Sequence, residues 1–283
     1  MGCCSFYLSA SRFLGLPEQQ IPSHCRSFFR GFCNIEGCRG TLVISLFTII
    51  RRNPRQTGLQ PGQVALTFDD GPNLEANVTP DLLDVLHQHS VKAGFCLVGQ
   101  QIRRHPDVVR RMNQSGHLLI NHTQSHHHPI RQNVATLLDE IEACDREIGA
   151  ALGIDGYRSD YFRAPFGIVT FAVRRAVRRL RLKHVLLSHY GWDTRVGPHH
   201  CESVVDLLID NAKRNNGGMY VLHDGSLCPP KVHEENWNHS TENRSWVPEA
   251  ISRVISELEK HGLQFVLPGT IGTPRDARLR AAA

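Results

Sequence analysis

An alternation constrains the fold of this chain more than any other feature. From Gln63 onward, short apolar runs of strand length and longer segments with helical apolar spacing follow one another about seven times. The predicted strands are Val64–Phe68, Val91–Val98, His117–Ile120, a short one ending at Phe162, Val185–Leu187, Met219–Leu222 and Leu263–Leu267. Predicted helices fill the gaps: one opened by Thr79 as N-cap with Pro80 in its first turn, then Pro106–Met112, 133–151, Thr170–Leu182, Val204–Ala212 and Val247–Lys260. Within 133–151, Val134, Leu137, Leu138, Ile141 and Ile148 recur at the period of one helix face. Strands and helices alternating at this spacing call for an α/β fold with a parallel sheet, open or closed into a barrel. Folds of that kind carry their chemistry just past the strand ends. Residues 226–246, with Cys228-Pro229-Pro230 and Trp237, read as an inserted loop, and Trp237 and Trp246 are open to two roles, stacking on a ring or covering the core.

Composition narrows the classes. A 283-residue chain with 41% hydrophobic and 21% charged residues can bury a sizeable core, as one large domain or two small ones. The net charge of +5 is modest, and neither zinc-finger spacing nor a basic run interleaved with aromatics is present, so nucleic acid is not an expected partner. Arg174, Arg175, Arg178, Arg179 and Arg181 form a solvated face or a contact for an anionic surface. Five of the nine cysteines (Cys3, Cys4, Cys25, Cys33, Cys38) crowd the N-terminus and the rest are scattered, which argues against a disulfide-stapled secreted domain. Cys33 and Cys38 could pair or bind metal, but no second dyad has zinc-ribbon spacing.

Residues 1–60 read as an extension of unknown role, 61–270 as the catalytic domain and 271–283 as a tail. The apolar run Leu42–Ile50 is nine residues long, too short to span a bilayer, and fits a buried strand or an interfacial segment. It lies too far in for an ordinary signal peptide. Gly2-Cys3-Cys4 fails the myristoylation pattern because Phe6 stands where Ser or Thr is needed. No integral membrane span is expected, and cytoplasmic and exported locations both stay open, as does oligomeric state.

The chemistry begins at Thr67-Phe68-Asp69-Asp70-Gly71-Pro72, where a buried strand runs into two adjacent carboxylates and a Gly-Pro break. Carboxylates are seldom fully buried without a partner. Neighbours on an extended backbone point to opposite sides, so a bend there could let one carboxylate hold a cation while the other stays free as a base. An ordinary Asp-Gly turn is the plainer reading. The second signal follows the strand ending at Ile120: His122 and His126 are four apart, and one helical turn would bring both imidazoles to one face. With Asp70 they form a two-His, one-Asp set that suits Zn²⁺ first, and Co²⁺, Ni²⁺ or Fe²⁺ as well. His127 and His128 extend the run and blur which histidine is the second ligand.

These motifs, with Arg163-Ala164-Pro165-Phe166-Gly167 and Leu222-His223-Asp224-Gly225, resemble those of the polysaccharide deacetylases, over about residues 62–268. That family includes chitin, peptidoglycan, acetylxylan and nodulation-factor deacetylases. The resemblance implies a distorted (β/α) barrel of about seven parallel strands. It also implies Asp69 as general base and Asp70, His122 and His126 as ligands of a divalent metal, Zn²⁺ foremost and Co²⁺ or another transition metal as alternatives. Arg163 would orient Asp69, and His223 would be the general acid. The fourth motif departs from the family pattern: Leu187 stands where a Trp is common, and six residues on comes Asp193, preceded by Trp192. Asp193 is assigned as the partner of His223. Pro165, Phe166, Leu222 and Trp192 are the expected substrate-binding residues, Leu222 at an acetyl pocket. Gly94 and Cys96 depart from an Ala-Thr-Phe-Phe pattern in the second strand, a change that bears on packing.

The implied reaction is removal of N-acetyl groups from N-acetylglucosamine-containing oligo- or polysaccharides. A metal lowers the pKa of water, Asp69 takes its proton, and His223 protonates the leaving amine. Two further functions fit the same residues: an O-acetyl esterase on xylan-type polysaccharides, and a silent glycan-binding member.

Overall fold

The computed structural model describes residues 58–225 and 240–268, together with the backbone of a two-residue strand, Thr48–Ile49. They belong to one compact unit, Phe47–Ala283. The expectations for the first 46 residues, the rest of the Leu42–Ile50 run, Cys228, Trp237 and the 271–283 tail lie outside the described residues.

The sheet is built around β1 (Gln63–Gly71), nine residues that are almost wholly buried. After it come α1 (Val78–Gln88), β2 (Gly94–Leu97), α2 (Gly99–Arg104), α3 (Pro106–Gln114) and β3 (Leu118–Asn121). The chain continues through α4 (Val134–Leu152), β4 (Tyr161–Phe162), α5 (Phe171–Arg179), β5 (Lys183–His184) and β6 (His189–Tyr190). It ends with α6 (Cys201–Asn215), β7 (Gly218–His223), α7 (Val247–Lys260) and β8 (Gln264–Phe265). The strands lie in the order β5-β4-β3-β2-β1-β7-β6, and β8 pairs the first residues of β1. Every pairing in this sheet is parallel. Thr48–Ile49 pairs separately and antiparallel with Ile168–Val169.

Because successive side chains alternate across a strand, β1 serves two cores. Val64, Leu66 and Phe68 join the larger cluster, which includes Leu82 and Leu86 of α1 and Ile251, Val254 and Ile255 of α7. Ala65 joins a smaller cluster with Cys96, Ile120, Val185 and Met219 on the opposite, concave face. Towards its end, Thr67 and Asp69 occupy that concave face. Gly94 is packed too tightly there for a side chain, since a Cβ would sit 2.9 Å from Ile120 Cδ1 and 3.0 Å from Pro268 Cγ. Its place in an otherwise apolar strand is therefore a packing requirement, as expected.

Several expectations need correction. The strand expected at Val185–Leu187 is not formed: those residues lie between β5 and β6, which stand at the two ends of the sheet order. Val185 N still donates to Phe162 O, and Ser188 N already donates to Met219 O, so this stretch crosses from one edge of the sheet to the other. The carbonyls of Val185 and Leu186 face Arg163, whose Nε and Nη2 lie 3.4 Å from them, in place of a neighbouring strand. Thr79 is not the cap of α1: Asn77 is, and the helix begins at Val78. The Thr79 hydroxyl instead donates to Asp224 Oδ2 (2.6 Å) and accepts from Asn73 N (2.8 Å). α2 was not anticipated, because six residues with one buried branched side chain, Ile102, carry no periodic signal. α5 stops at Arg179, where Arg181 turns left-handed and Leu182 N closes back on Val177 O. The Arg174–Arg181 guanidinium face is exposed. Trp246, 6% exposed within the larger core, covers that core.

The longest helix is the one most clearly specified locally. Asn133 accepts from Thr136 N while Thr136 Oγ1 accepts from Asn133 N, and Gly153 ends the helix at φ +69°. Among the described residues, no helix is long and apolar enough to cross a membrane.

Candidate active site

The ends of β1, β3, β4 and β7 converge on one cluster. Register places Asp69 beside Cys96 on one side and beside His223 on the other. At Asp70 the backbone turns left-handed (φ +73°), so the two carboxylates diverge as the sequence suggested. Asp70 Oδ1 lies 3.2 Å from His126 Nε2 and 3.5 Å from His122 Nε2. Donor atoms of these three residues all fall within 4.8 Å of one another.

The histidines reach this position by a route other than the expected helical turn. After β3 the chain forms an irregular loop with Thr123 at φ +72° and His126 at φ +52°. Side chains hold it: Thr123 N donates to Asn121 Oδ1 (2.9 Å), His126 N to Thr123 Oγ1 (3.1 Å), and Ser125 N to Glu140 Oε2 (2.8 Å). His127 is exposed and pairs with Glu140, and His128 accepts from Ile130 N and lies against the Phe166 ring. The doubt over the second histidine resolves in favour of His126.

This donor set fits a divalent cation. Asp70 Oδ1 is buried without a hydrogen-bond partner, which is costly unless a cation is meant to face it. Burial holds His126 down to about 4, so it stays the neutral imidazole that a metal requires. Burial pushes the Asp70 carboxyl up, but the imidazoles of His122 and His126 beside it outweigh burial and hold it well below the usual range. His122 Nδ1 meets the Arg163 carbonyl at 2.9 Å, which fixes the ring with Nε2 towards Asp70.

Asp69 borders this set and is held by a different partner. Its Oδ1 accepts from Arg163 Nη1 at 2.6 Å, and its Oδ2 lies 3.9 Å from His122 Nε2. Burial raises its pKa, and the Arg163 guanidinium more than offsets this and keeps the carboxylate ionised. Arg163 Nη1 also donates to Thr67 Oγ1 (2.8 Å), a second tie to β1 two residues before Asp69. Beside Asp69, on β7, His223 donates its backbone N–H to the fully buried Asp193 carboxylate (2.6 Å), and His223 Nδ1 lies 3.1 Å from Asp193 Oδ1. Burial lowers the His223 pKa, but Asp193 outweighs it and pushes the imidazole up to about 9. A cationic His223 with its Nε2 free of Asp193 is equipped to give up a proton.

The expected substrate residues have different settings. Phe166 is 56% exposed, at φ +58°, with its ring 4.6 Å from that of His126. Pro165 is buried, Trp192 is half-buried against Tyr190, and Leu222 is fully buried in the larger core.

Three supporting groups escaped the sequence reading. Asn121 Nδ2 donates to Asp145 Oδ1 (2.8 Å), which also accepts from Ser159 Oγ (2.6 Å), and this buried network fixes the base of the His122–His126 loop. Asp145 was legible, since it lies four residues after Ile141 and three before Ile148 on the apolar stripe of α4. Tyr190 Oη stands 3.5 Å from His223 Nε2. Arg244 Nη1 donates to the Asp193 carbonyl at 2.9 Å.

A parallel half-barrel with a His-His-Asp donor set and a flanking Asp–Arg and His–Asp pair defines a class, and the comparisons agree with it. Residues 57–185 match the family model described as polysaccharide deacetylase. A chitooligosaccharide deacetylase from Bradyrhizobium sp. is 34% identical over 227 residues, covering 80% of this chain and 96% of that protein. The chain belongs to the polysaccharide deacetylase family. A peptidoglycan-N-acetylglucosamine deacetylase of Bacillus cereus is 39% identical over 220 residues, covering 76% of this chain and 70% of that one. Among solved structures, the chitin deacetylase of the fungus Colletotrichum lindemuthianum superposes with a TM-score of 0.62 at 25% identity, covering 76% of this chain and 90% of that one.

Proposed function

We propose that this chain is a metal-dependent hydrolase that removes N-acetyl groups from N-acetylglucosamine-containing oligo- or polysaccharides, with its catalytic domain at residues 61–270. The observation that carries the reading is the division of labour between adjacent carboxylates, one aimed at two imidazoles and the other held by an arginine. Asp70, His122 and His126 hold the cation, with Zn²⁺ best suited to a mixed nitrogen and oxygen set and Co²⁺ able to replace it. When bound, such an ion supplies Lewis acidity and lowers the pKa of water to near neutrality.

Asp69, kept ionised and oriented by Arg163, accepts the proton of the attacking water. His223, charged by its contact with Asp193, stands in the next strand and donates a proton to the departing amine nitrogen. An amine leaves poorly as an anion, so this donation favours an amide reading of the site. Phe166 offers an exposed ring beside His126 on which a sugar face can stack, and Pro165 and Trp192 are assigned to the same substrate, while Leu222, fully buried in the larger core, supports the strand behind the site.

The test uses two variants at neighbouring positions. Asp70→Ala should lose metal binding by calorimetry together with acetate release, whereas Asp69→Asn should bind metal and release no acetate. Full turnover by either variant would overturn the assignment.

A further inference from the structure

Among the described residues, one charged group beside the site forms no ion pair. Arg244 is 4% exposed, its Nε is buried without a partner, and no carboxylate among the described residues forms an ion pair with it. A buried guanidinium left in this state costs several kcal/mol. Among the described residues, its side chain's hydrogen bond goes to the carbonyl of Asp193. Arg244 is itself well anchored, because its own carbonyl accepts from Val247 N at the start of α7 and its neighbour Ser245 N donates to Asn243 Oδ1.

Asp193 needs such anchorage. It opens a single 3-10 turn, Asp193–Arg195, directly after Trp192 at φ +58°, a backbone conformation that a bulky residue adopts only under constraint. Its carboxylate is bound by His223 through both the backbone N–H and the ring, and its carbonyl is bound by Arg244. A line of alternating groups results: guanidinium, aspartate, imidazole.

We propose that Arg244 is a positioning residue: by clamping the carbonyl of Asp193, it fixes the turn from which Asp193 orients the His223 ring towards the leaving group. The inference rests on the assignment of His223 as the proton donor. Arg244 touches neither substrate nor metal ligands in this role and acts through Asp193 alone.

The role separates from a merely structural one by leaving-group dependence. An acetate ester with a good leaving group needs little acid help, and an N-acetyl amide needs much. The experiment measures kcat and KM of the full chain, loaded with Zn²⁺, on N-acetylglucosamine oligomers and on 4-nitrophenyl acetate. Wild type, His223→Ala, Arg244→Met and Arg244→Gln are compared. Displacing an oriented donor by a fraction of an ångström costs about ten- to a hundred-fold. Arg244→Met should therefore lower amide kcat by about that factor, leave KM near wild type and change ester kcat by less than about threefold. If Arg244→Met does not fold, Arg244→Ala carries the same comparison, while Arg244→Gln, which keeps a donor near the carbonyl without the charge, should recover most of the amide kcat. Equal losses on amide and ester in a folded Arg244→Met or Arg244→Ala variant, or no loss on either, overturn the inference while His223→Ala stays amide-selective. Equal losses in His223→Ala would instead overturn the acid assignment beneath it.

Discussion

Replacing Arg163 with methionine tests the site through stability as well as turnover. Arg163 is 2% exposed, and its tightest contact is with Asp69, itself 6% exposed, at 2.6 Å. Its contacts to the Val185 and Leu186 carbonyls, at 3.4 Å, are too long to count for much. The cost is therefore dominated by the buried carboxylate left without its partner, about 3–5 kcal/mol. For a domain of this size, that corresponds to a Tm lower by about 6–20 °C.

The pH dependence gives the sharper reading. In the wild type, Asp69 has a folded pKa below its unfolded value, so the stability it contributes is present above the unfolded carboxylate pKa and is lost as pH falls through the folded pKa. Without Arg163, the desolvation of Asp69 has no comparable opposing charge, and its pKa rises. The variant should then be relieved by acid: neutralising Asp69 removes the penalty, and the Tm gap to wild type should narrow between about pH 7 and pH 5. The acid limb of the turnover profile should move to higher pH in step. Thermal melts at the two pH values, with and without Zn²⁺, check this. A Tm gap that is the same at both, in a variant with an unshifted acid limb, would refute the claim that Arg163 acts by keeping Asp69 ionised.

Other outcomes follow from the same contacts. His223 has a folded pKa raised from 6.5 to about 9, so its pairing with Asp193 contributes stability that is full below about pH 6.5 and lost as pH rises through about 9; Asp193→Asn should abolish that dependence in denaturant titrations and pull the basic limb of turnover downward. Gly71→Ala would drive a Cβ into the buried Asp224 carboxylate, so the chain next to Asp70 must shift, and calorimetry should show metal affinity weakened by about tenfold or more. Gly94→Ala serves as its contrast: a Cβ 2.9 Å from Ile120 Cδ1 should lower stability by about 1–3 kcal/mol in urea with metal affinity intact.

The parts of the molecule that were legible in the sequence are those where local chemistry and fold agree. The apolar runs of β1, β3 and β7 end in the polar groups that form the site, and α4 has the apolar spacing that its sequence announces. What was hidden depended on contacts between distant residues. The His122–His126 loop carries two left-handed residues that are not glycine, and only Asn121, Thr123 and Glu140 explain why the chain accepts them. The strand expected at Val185–Leu187 gives way to a crossing, because Val185 N is held by Phe162 O on one side of the sheet and Ser188 N by Met219 O on the other. Thr79, a plausible cap by position, is drawn away by a buried aspartate 145 residues further along. Arg244 lies 51 residues from Asp193, in a stretch with no periodicity to mark it.

The most direct test of the account is acetate release from N-acetylglucosamine oligomers by metal-stripped protein, before and after addition of Zn²⁺ or Co²⁺, with Asp70→Ala alongside. The arrangement of Asp70, His122 and His126 predicts no release without metal, restoration by either ion in the wild type, and none in Asp70→Ala. Release by the stripped protein, or equal restoration in Asp70→Ala, would contradict it.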